Sequence, residues 1–368
     1  MKYVPPNRRG RRLLSVLALA SAAALTLAAC GGGDTGTPGG EATGGGGGDE
    51  EVAVTLITKT STNPFFIAMQ KGAEEAGKAN NVSITTVAGK EDGDETTQIS
   101  GIEAAIARGD KGILITPATT GVDPAIQQAR DAGIYVIALD TPSEAADITF
   151  ATDNFKAGEL IGQWAAGTMK GQKANIAMLD LFNDKVAPVD YSRDQGFLTG
   201  MGIDVADPKK NGDEAPTGTY SGGDYEIFCN EPTNGTQDQG KTAMETCLTK
   251  SKDINLVYSI NEPAGVGGAE ALEAAGVKAT IVSVDGGCSP GIEAVKAGTI
   301  GATSQQYPLD MAKLGVEAIA KKVRENVDPK PTEGLDFLDT GVKLVTDKPV
   351  EGVESITTAE AEKICWGG

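Results

Sequence analysis

The sequence predicts an α/β fold of two Rossmann-like lobes, each built on a parallel sheet with helices on both faces. Two observations carry this. From residue 52 onward, short apolar runs bounded by Gly, Pro and Asp alternate with stretches at helical spacing, the pattern of strand–helix–strand units. The runs are continuously apolar, as strands buried on both faces must be. The alternation also occurs twice over, and 368 residues are enough to give each half its own core.

The first half reads in order. Val52–Thr58 is a buried strand, Phe65–Asn80 a helix and Ser83–Val87 a strand. Thr97–Arg108 is helical, with Gln98, Ile102 and Ile106 four apart. Gly112–Thr116 is a strand, Asp123–Ala132 a helix and Tyr135–Leu139 a strand, and a further strand ends at Phe150. The second half opens with a helix over Ala157–Met169, in which Trp164 is a core residue, and a strand over Asn175–Asp180. Tyr191–Met201 is helical, Tyr225–Phe228 a strand and Lys241–Lys250 a helix. Leu256–Ile260, Ala264–Ala275 and Thr280–Val284 continue the alternation as strand, helix and strand. Pro290–Ala297 reads as a helix, Ile300–Gln305 as a strand and Leu309–Val323 as the last long helix.

The first fifty residues are of another kind. Arg8, Arg9, Arg11 and Arg12 precede an alanine-rich apolar run from Leu13 to Leu27, closed by Ala28-Ala29-Cys30. The run is short for a membrane span and ends in small residues, so residues 1–30 read as an export signal. The cysteine at the cut resembles a lipobox, which makes Cys30 the expected lipidation site. Residues 31–50, rich in Gly and without a large apolar side chain, form a tether. The folded part is then expected to be exported and held by its lipid on the outer face of the cytoplasmic membrane.

Composition excludes whole classes of chemistry. There is no histidine, which removes Ser-His-Asp and Cys-His catalysis and imidazole metal sites. A formal net charge of -19 repels phosphate backbones, so no nucleic-acid partner is expected. The acidic run Glu91-Asp92-Gly93-Asp94-Glu95 lacks the spacing of a calcium loop and reads as solvated. No phosphate-cradling glycine motif follows a strand and no CxxC is present, so neither a cofactor nor a metal is expected. Four cysteines remain in the exported part, an even number suited to disulfides. Of the three pairings, Cys229 with Cys247 and Cys288 with Cys365 is favoured. The first pair is close in sequence, and the second would pin a tail that Trp366 anchors. Four buried free thiols are the alternative.

In a doubly wound sheet the ligand crevice lies at the carboxyl ends of the strands. The residues there are Thr58 to Phe66, Thr116-Pro117, Asp140-Thr141, Asp153-Asn154, Asn261-Glu262-Pro263, Asp285-Gly286 and Gln305 to Pro308. Asn, Asp, Gln and Lys supply many donors and acceptors, and Phe supplies flat apolar faces. A sugar ring has need of both, through its hydroxyls and its C–H faces. Read separately, Asn63-Pro64 is also a plain helix start, Asp285 a plain turn and Lys59 a surface lysine.

Taken together and in this order, Asn63-Pro64-Phe65-Phe66, Leu139-Asp140, Asn261-Glu262-Pro263, Val284-Asp285-Gly286 and Gln306-Tyr307-Pro308 resemble the sugar-binding proteins of ABC importers, the ribose/galactose/fructose-binding family. The resemblance covers about residues 52–345, and the wording from Thr58 to Phe66 looks most like the fructose-binding branch. It implies the type I periplasmic binding protein fold, with three chain crossings near residues 152–154, 305–308 and 341. The N-terminal lobe is then 52–152 plus 307–340, and the C-terminal lobe 153–306 plus 341–368. It also implies roles: Asn63 bonds a hydroxyl, Phe65 or Phe66 stacks on the ring, Asp140 accepts from two hydroxyls, Arg193 contacts the sugar, and Asn261, Asp285 and Gln306 clamp from the other lobe and hinge. Ribose binders carry arginine where this chain has Thr141, a small hydroxyl residue in place of Lys59 and asparagine in place of Thr116. This places a cationic donor at Lys59 and favours a sugar other than ribose, fructose first. The expected protein is a monomer without enzyme activity that delivers its sugar to an ABC permease with a separate ATPase. A binder of ribose, xylose or galactose, a sugar-sensing receptor for a signalling partner, and a carboxylate glycosidase using Asp140 and Asp285 are the competing readings.

Overall fold

The computed structural model describes residues 50–367; the export signal, Cys30 and the tether lie outside them. Two sheets organise the chain. The first comprises β1 (Val52–Thr58), β2 (Val82–Ala88), β3 (Gly112–Ile115), β4 (Tyr135–Leu139), β5 (Ile148–Ala151) and, far along the sequence, β12 (Leu338–Asp339), in the order β12-β5-β4-β3-β1-β2. The second comprises β6 (Ala174–Asp180), β7 (Thr217–Tyr220), β8 (Gly223–Pro232), β9 (Leu256–Ser259), β10 (Thr280–Asp285), β11 (Ala302–Gln305) and β13 (Lys343–Val345), in the order β13-β11-β10-β9-β6-β8-β7. Both share the doubly wound core order 2-1-3-4-5. All pairs are parallel except β7 with β8 and β11 with β13.

Helices α1 (Pro64–Ala79), α2 (Glu95–Arg108) and α3 (Asp123–Asp131) connect the first sheet, with α9 (Pro308–Glu325) packed beside α1. Helices α4 (Asn154–Thr168), α5 (Pro188–Met201), α6 (Gln237–Lys250), α7 (Glu262–Ala275) and the short α8 (Glu293–Ala297) serve the second, and α10 (Thr358–Ala361) lies in the tail. Each sheet carries an apolar cluster on both faces. Val54, Leu56 and Leu114 meet Met69 and Val316 on one face of the first sheet, while Ile57, Ile113 and Ile115 meet Ile102 and Ile126 on the other. In β6, Ile176 and Met178 point to one cluster, and Ala177 and Leu179 to the other. The period-2 alternation of side chains thus splits a continuous apolar run between two cores, as the sequence pattern requires.

The chain passes between the sheets three times: after β5, after β11, and between β12 and β13. At the first and third crossings Thr152 Oγ1 donates to Gly341 O (2.9 Å). The tail returns to the first sheet: Trp366 packs in the cluster of Phe65 and Phe66, edge-on to Phe65 at 5.4 Å, and its Nε1 donates to Gln306 O. Disulfides join Cys229 to Cys247 and Cys288 to Cys365. By limiting the unfolded chain, loops of these lengths contribute about 3 and roughly 4.5 kcal/mol.

Element boundaries differ from the sequence reading at several places: α4, α5 and α6 begin three or four residues before the helices expected from Ala157, Tyr191 and Lys241, and β7, β12, β13 and α10 were not expected. The helix expected over Pro290–Ala297 begins only at Glu293, after an irregular turn over Cys288–Ile292 in which Ser289 is extended. Here Gly286 N and Gly287 N donate to the Glu262 carboxylate and Cys288 N to Trp366 O, so these amides are committed elsewhere. The strand expected over Tyr225–Phe228 runs on to Pro232 through polar Asn230 and Glu231, held by its pairing with β6 across a register shift.

The packing of α4 on α5 is the closest helix contact that bears on the site. A Cβ at Gly158 would stand 2.1 Å from Arg193 O, and one at Gly196 would stand 2.2 Å from Phe155 O. Only hydrogen side chains allow the two backbones this near. Gly158→Ala should therefore push the pair apart and destabilise the fold by about 1–3 kcal/mol, read as a lower melting temperature. An unchanged melting temperature would show that this contact does not set the helix spacing.

Candidate functional site

Residues at the ends of β1, β4, β9 and β10 and at the starts of α1 and α5 line one narrow cavity. Lys59, Asn63, Phe65, Phe66 and Asp140 come from the first-sheet side, and Arg193, Asn261 and Asp285 from the second. Leu181, Val189 and Ile260 supply apolar wall.

Arg193 is the centre of the polar network and is only 5% exposed. Its Nε donates to Asn154 Oδ1 (2.8 Å), its Nη1 to Ile260 O (3.0 Å), and its Nη2 to Asp140 Oδ1 (3.2 Å). Asp285 Oδ1 stands 3.8 Å from Nη1. A guanidinium has five N–H groups, so two are left over to meet a ligand. Asp140 is held further by Thr141 Oγ1, which donates to its Oδ2, and Asn154 Nδ2 donates to its carbonyl. Both acids sit at strand ends with positive φ, 61° for Asp140 and 139° for Asp285. Backbone of this kind is held only where the surroundings enforce it, and here it turns each carboxylate toward the guanidinium.

Two asparagines start helices at the cavity. Asn63 Oδ1 accepts from Phe65 N at the cap of α1, and Asn261 Oδ1 accepts from Ala264 N at the cap of α7. In both, Pro follows within the first turn, where its missing N–H costs nothing. Asn261 Nδ2 also donates to Gly235 O. The plain helix-start reading of Asn63 and its place in the cavity therefore hold together. Asp190 pins the wall by accepting from Leu181 N and Phe182 N. Contacts cross the mouth as well: Thr120 N donates to Val186 O (3.1 Å) and Lys185 Nζ to Gly93 O (3.3 Å).

The sequence matches the periplasmic binding protein domain over residues 54–326. The chain belongs to the periplasmic binding protein family. It is 26% identical over 281 residues to the ribose import binding protein RbsB of Haemophilus influenzae, covering 75% of this chain and 88% of that one. It is 26% identical over 265 residues to the D-allose-binding periplasmic protein of Escherichia coli, covering 71% and 81%. Its fold matches a crystal structure of a solute-binding protein from Actinobacillus succinogenes with bound D-allose at a TM-score of 0.67 and 24% identity, covering 80% of this chain and 97% of that one. Like these relatives, this periplasmic binding protein is a binder and not an enzyme, so the glycosidase reading falls. Among the described residues no helix is long and apolar enough to cross a membrane.

Of the nine residues read from the sequence, this binding protein brings eight to the cavity wall. Gln306 is the exception. Its Nε2 donates to Asp285 Oδ1 and its carbonyl accepts from Trp366, so it stands behind Asp285 and orients it rather than facing the cavity. Lys59 is buried at 3% exposure, against the surface-lysine reading. Thr116 does not line the cavity; its Oγ1 donates to Met69 Sδ.

The run Glu91–Glu95 is corrected in one residue. Asp94 caps α2 by accepting from Thr97 N, but Asp92 is buried and lines the cavity. The signal was available: Asp92 follows β2, and the end of that strand belongs to the same crevice as the end of β1.

Burial acts on the acids of this site. Asp92 and Asp190 are pushed up to about 6, chiefly by loss of solvent. Asp285 is raised to about 7 by burial against the opposing pull of Arg193, and Glu262 to about 8 by burial and then by Asp285. Each binds its proton more tightly folded than unfolded. The folded state is therefore favoured below the ordinary carboxylate range and loses stability as pH rises through about 6 to 8. The ligand-free protein should melt at a lower temperature at pH 8 than at pH 5. A melting temperature that rises over that interval would contradict the burial of these acids.

Proposed function

We propose that this periplasmic binding protein captures a monosaccharide between its two lobes, with fructose the first sugar to test, and delivers it to an ABC permease. The observation that carries the reading is the Arg193 network. It joins a carboxylate from each lobe, leaves guanidinium hydrogens free, and shares its cavity with Phe65 and Phe66. Carboxylates accept from neighbouring hydroxyls, the remaining N–H groups donate to ring or hydroxyl oxygens, and an aromatic ring covers a C–H face. The relatives named for ribose and D-allose support the same class of ligand.

Capture proceeds by closure. In an open form the first lobe (52–152 plus 307–340) offers Asn63, Phe65, Phe66 and Asp140. The second lobe (153–306 plus 341–368) then brings up Arg193, Asn261 and Asp285, with bending at the three crossings. The sugar favours the closed form because only there do its hydroxyls meet both lobes. After the export signal is removed, a lipid on Cys30 and the Gly-rich tether hold the monomeric domain at the outer face of the cytoplasmic membrane, beside the permease that reads the closed form.

A thermal-shift series of residues 51–368 against fructose, ribose, allose, galactose, glucose and inositol tests the reading. A sugar at a thousandfold its Kd should add about 4 kcal/mol of stability. Asp140→Asn should weaken the successful sugar by about 10- to 100-fold, the value of a charged hydrogen bond of about 1.5–3 kcal/mol. No shift with any sugar, or unchanged affinity in Asp140→Asn, overturns the assignment.

A further inference from the structure

The polar groups of the cavity do not all belong to the Arg193 network. Asp92 reaches it from the loop after β2, buried to 7% exposure, and its Oδ1 has no hydrogen-bond partner. The loop is fixed rather than loose. Gly89 N donates to Thr58 O, and Asp94 accepts from Lys90 N and from Thr97 N and Oγ1. Across the cleft Asp92 abuts Gly235, where a Cβ would stand 3.0 Å from Asp92 Oδ2 and 3.0 Å from Asn261 Nδ2. Lys59 is the cation that acts on it most strongly. Among the described residues no ion pair within 4.0 Å reaches Lys59.

A buried carboxylate oxygen left without a donor is costly, and a carboxylate only accepts. What satisfies it must carry a hydrogen into the cavity. We propose that Asp92 is a specificity-determining residue: it accepts a sugar hydroxyl that the Asp140–Arg193–Asp285 grip leaves unpaired, and so selects neutral sugars hydroxylated there over their deoxy analogues. The inference rests on the monosaccharide reading above. The charge balance fits it, since three acids (Asp92, Asp140 and Asp285) line the cavity with two cations (Lys59 and Arg193), leaving no excess of positive charge to hold an anionic sugar.

The test is a calorimetric comparison of wild type, Asp92→Asn and Asp92→Ala. Each is titrated with the sugar that wild type binds, with its series of monodeoxy analogues and with its terminal phosphate ester, after melting temperatures confirm folding. Wild type should lose about 10- to 100-fold in affinity on removal of one particular hydroxyl, the range of a charged hydrogen bond, and should not bind the phosphate ester. In Asp92→Ala that one difference should vanish while the losses for the other analogues persist. Asp92→Asn, which keeps the shape, should fall between. If Asp92→Ala binds every analogue with the wild-type pattern, or loses the same factor for all of them, Asp92 does not read a hydroxyl and the inference falls while the sugar reading stands. If wild type binds no monosaccharide, it is the sugar reading that fails.

Discussion

A guanidinium held out of water between two carboxylates is the constraint on which this molecule turns. Burying Arg193 is costly, and the cost is offset only if its fork is matched by acceptors in fixed positions. The partners come from separate parts of the chain: acceptors from Asn154 at the first crossing, Ile260 at the end of β9 and Asp140 of the first sheet, and an ion pair at 3.8 Å from Asp285 of the second. A lysine has no planar fork with which to address them together. The same group therefore ties hinge, lobes and cavity into one arrangement.

That arrangement is assembled from the backbone upward. The parallel sheets bring strand carboxyl ends to one crevice, and their doubly wound order opens it beside β1 and β6. Positive φ at Asp140 and Asp285 aims two acids inward, and Gln306 steadies the second of them from behind. Glu262, beneath, holds the Asp285–Gly287 turn by accepting from two amides and from Thr303. Trp366 and the Cys288–Cys365 bridge close the structure by seating the tail at the same turn while its ring rests on Phe65.

Most of this was legible in the sequence, and what was missed follows one rule. Continuous apolar runs and helical spacing located the long helices and most of the strands, because packing on both faces leaves no other pattern. Strand-end position plus residue type located Asn63, Asp140, Asn261 and Asp285. Periodicity carried no sign of β7 or of the polar end of β8, whose register is set by a neighbouring strand rather than by their own side chains. Asp92 was hidden by composition, since an acidic run on a loop looks solvated until the fold shows which of its members turns inward. Gln306 was misplaced by a single layer: a motif gives its position on the chain, while its role depends on which side of Asp285 it lies.

The glycine seam between α4 and α5 bears on how such a protein can change. Gly158, Gly162, Gly196 and Gly200 each face backbone at distances no side chain tolerates, so the helix that carries Arg193 has no latitude to shift. The opposite wall is built differently: Lys59 and Asp92 reach the cavity from loops after β1 and β2, not from a helix locked against its neighbour. One wall of the cavity is thus set by backbone against backbone, and the other by side chains carried on turns.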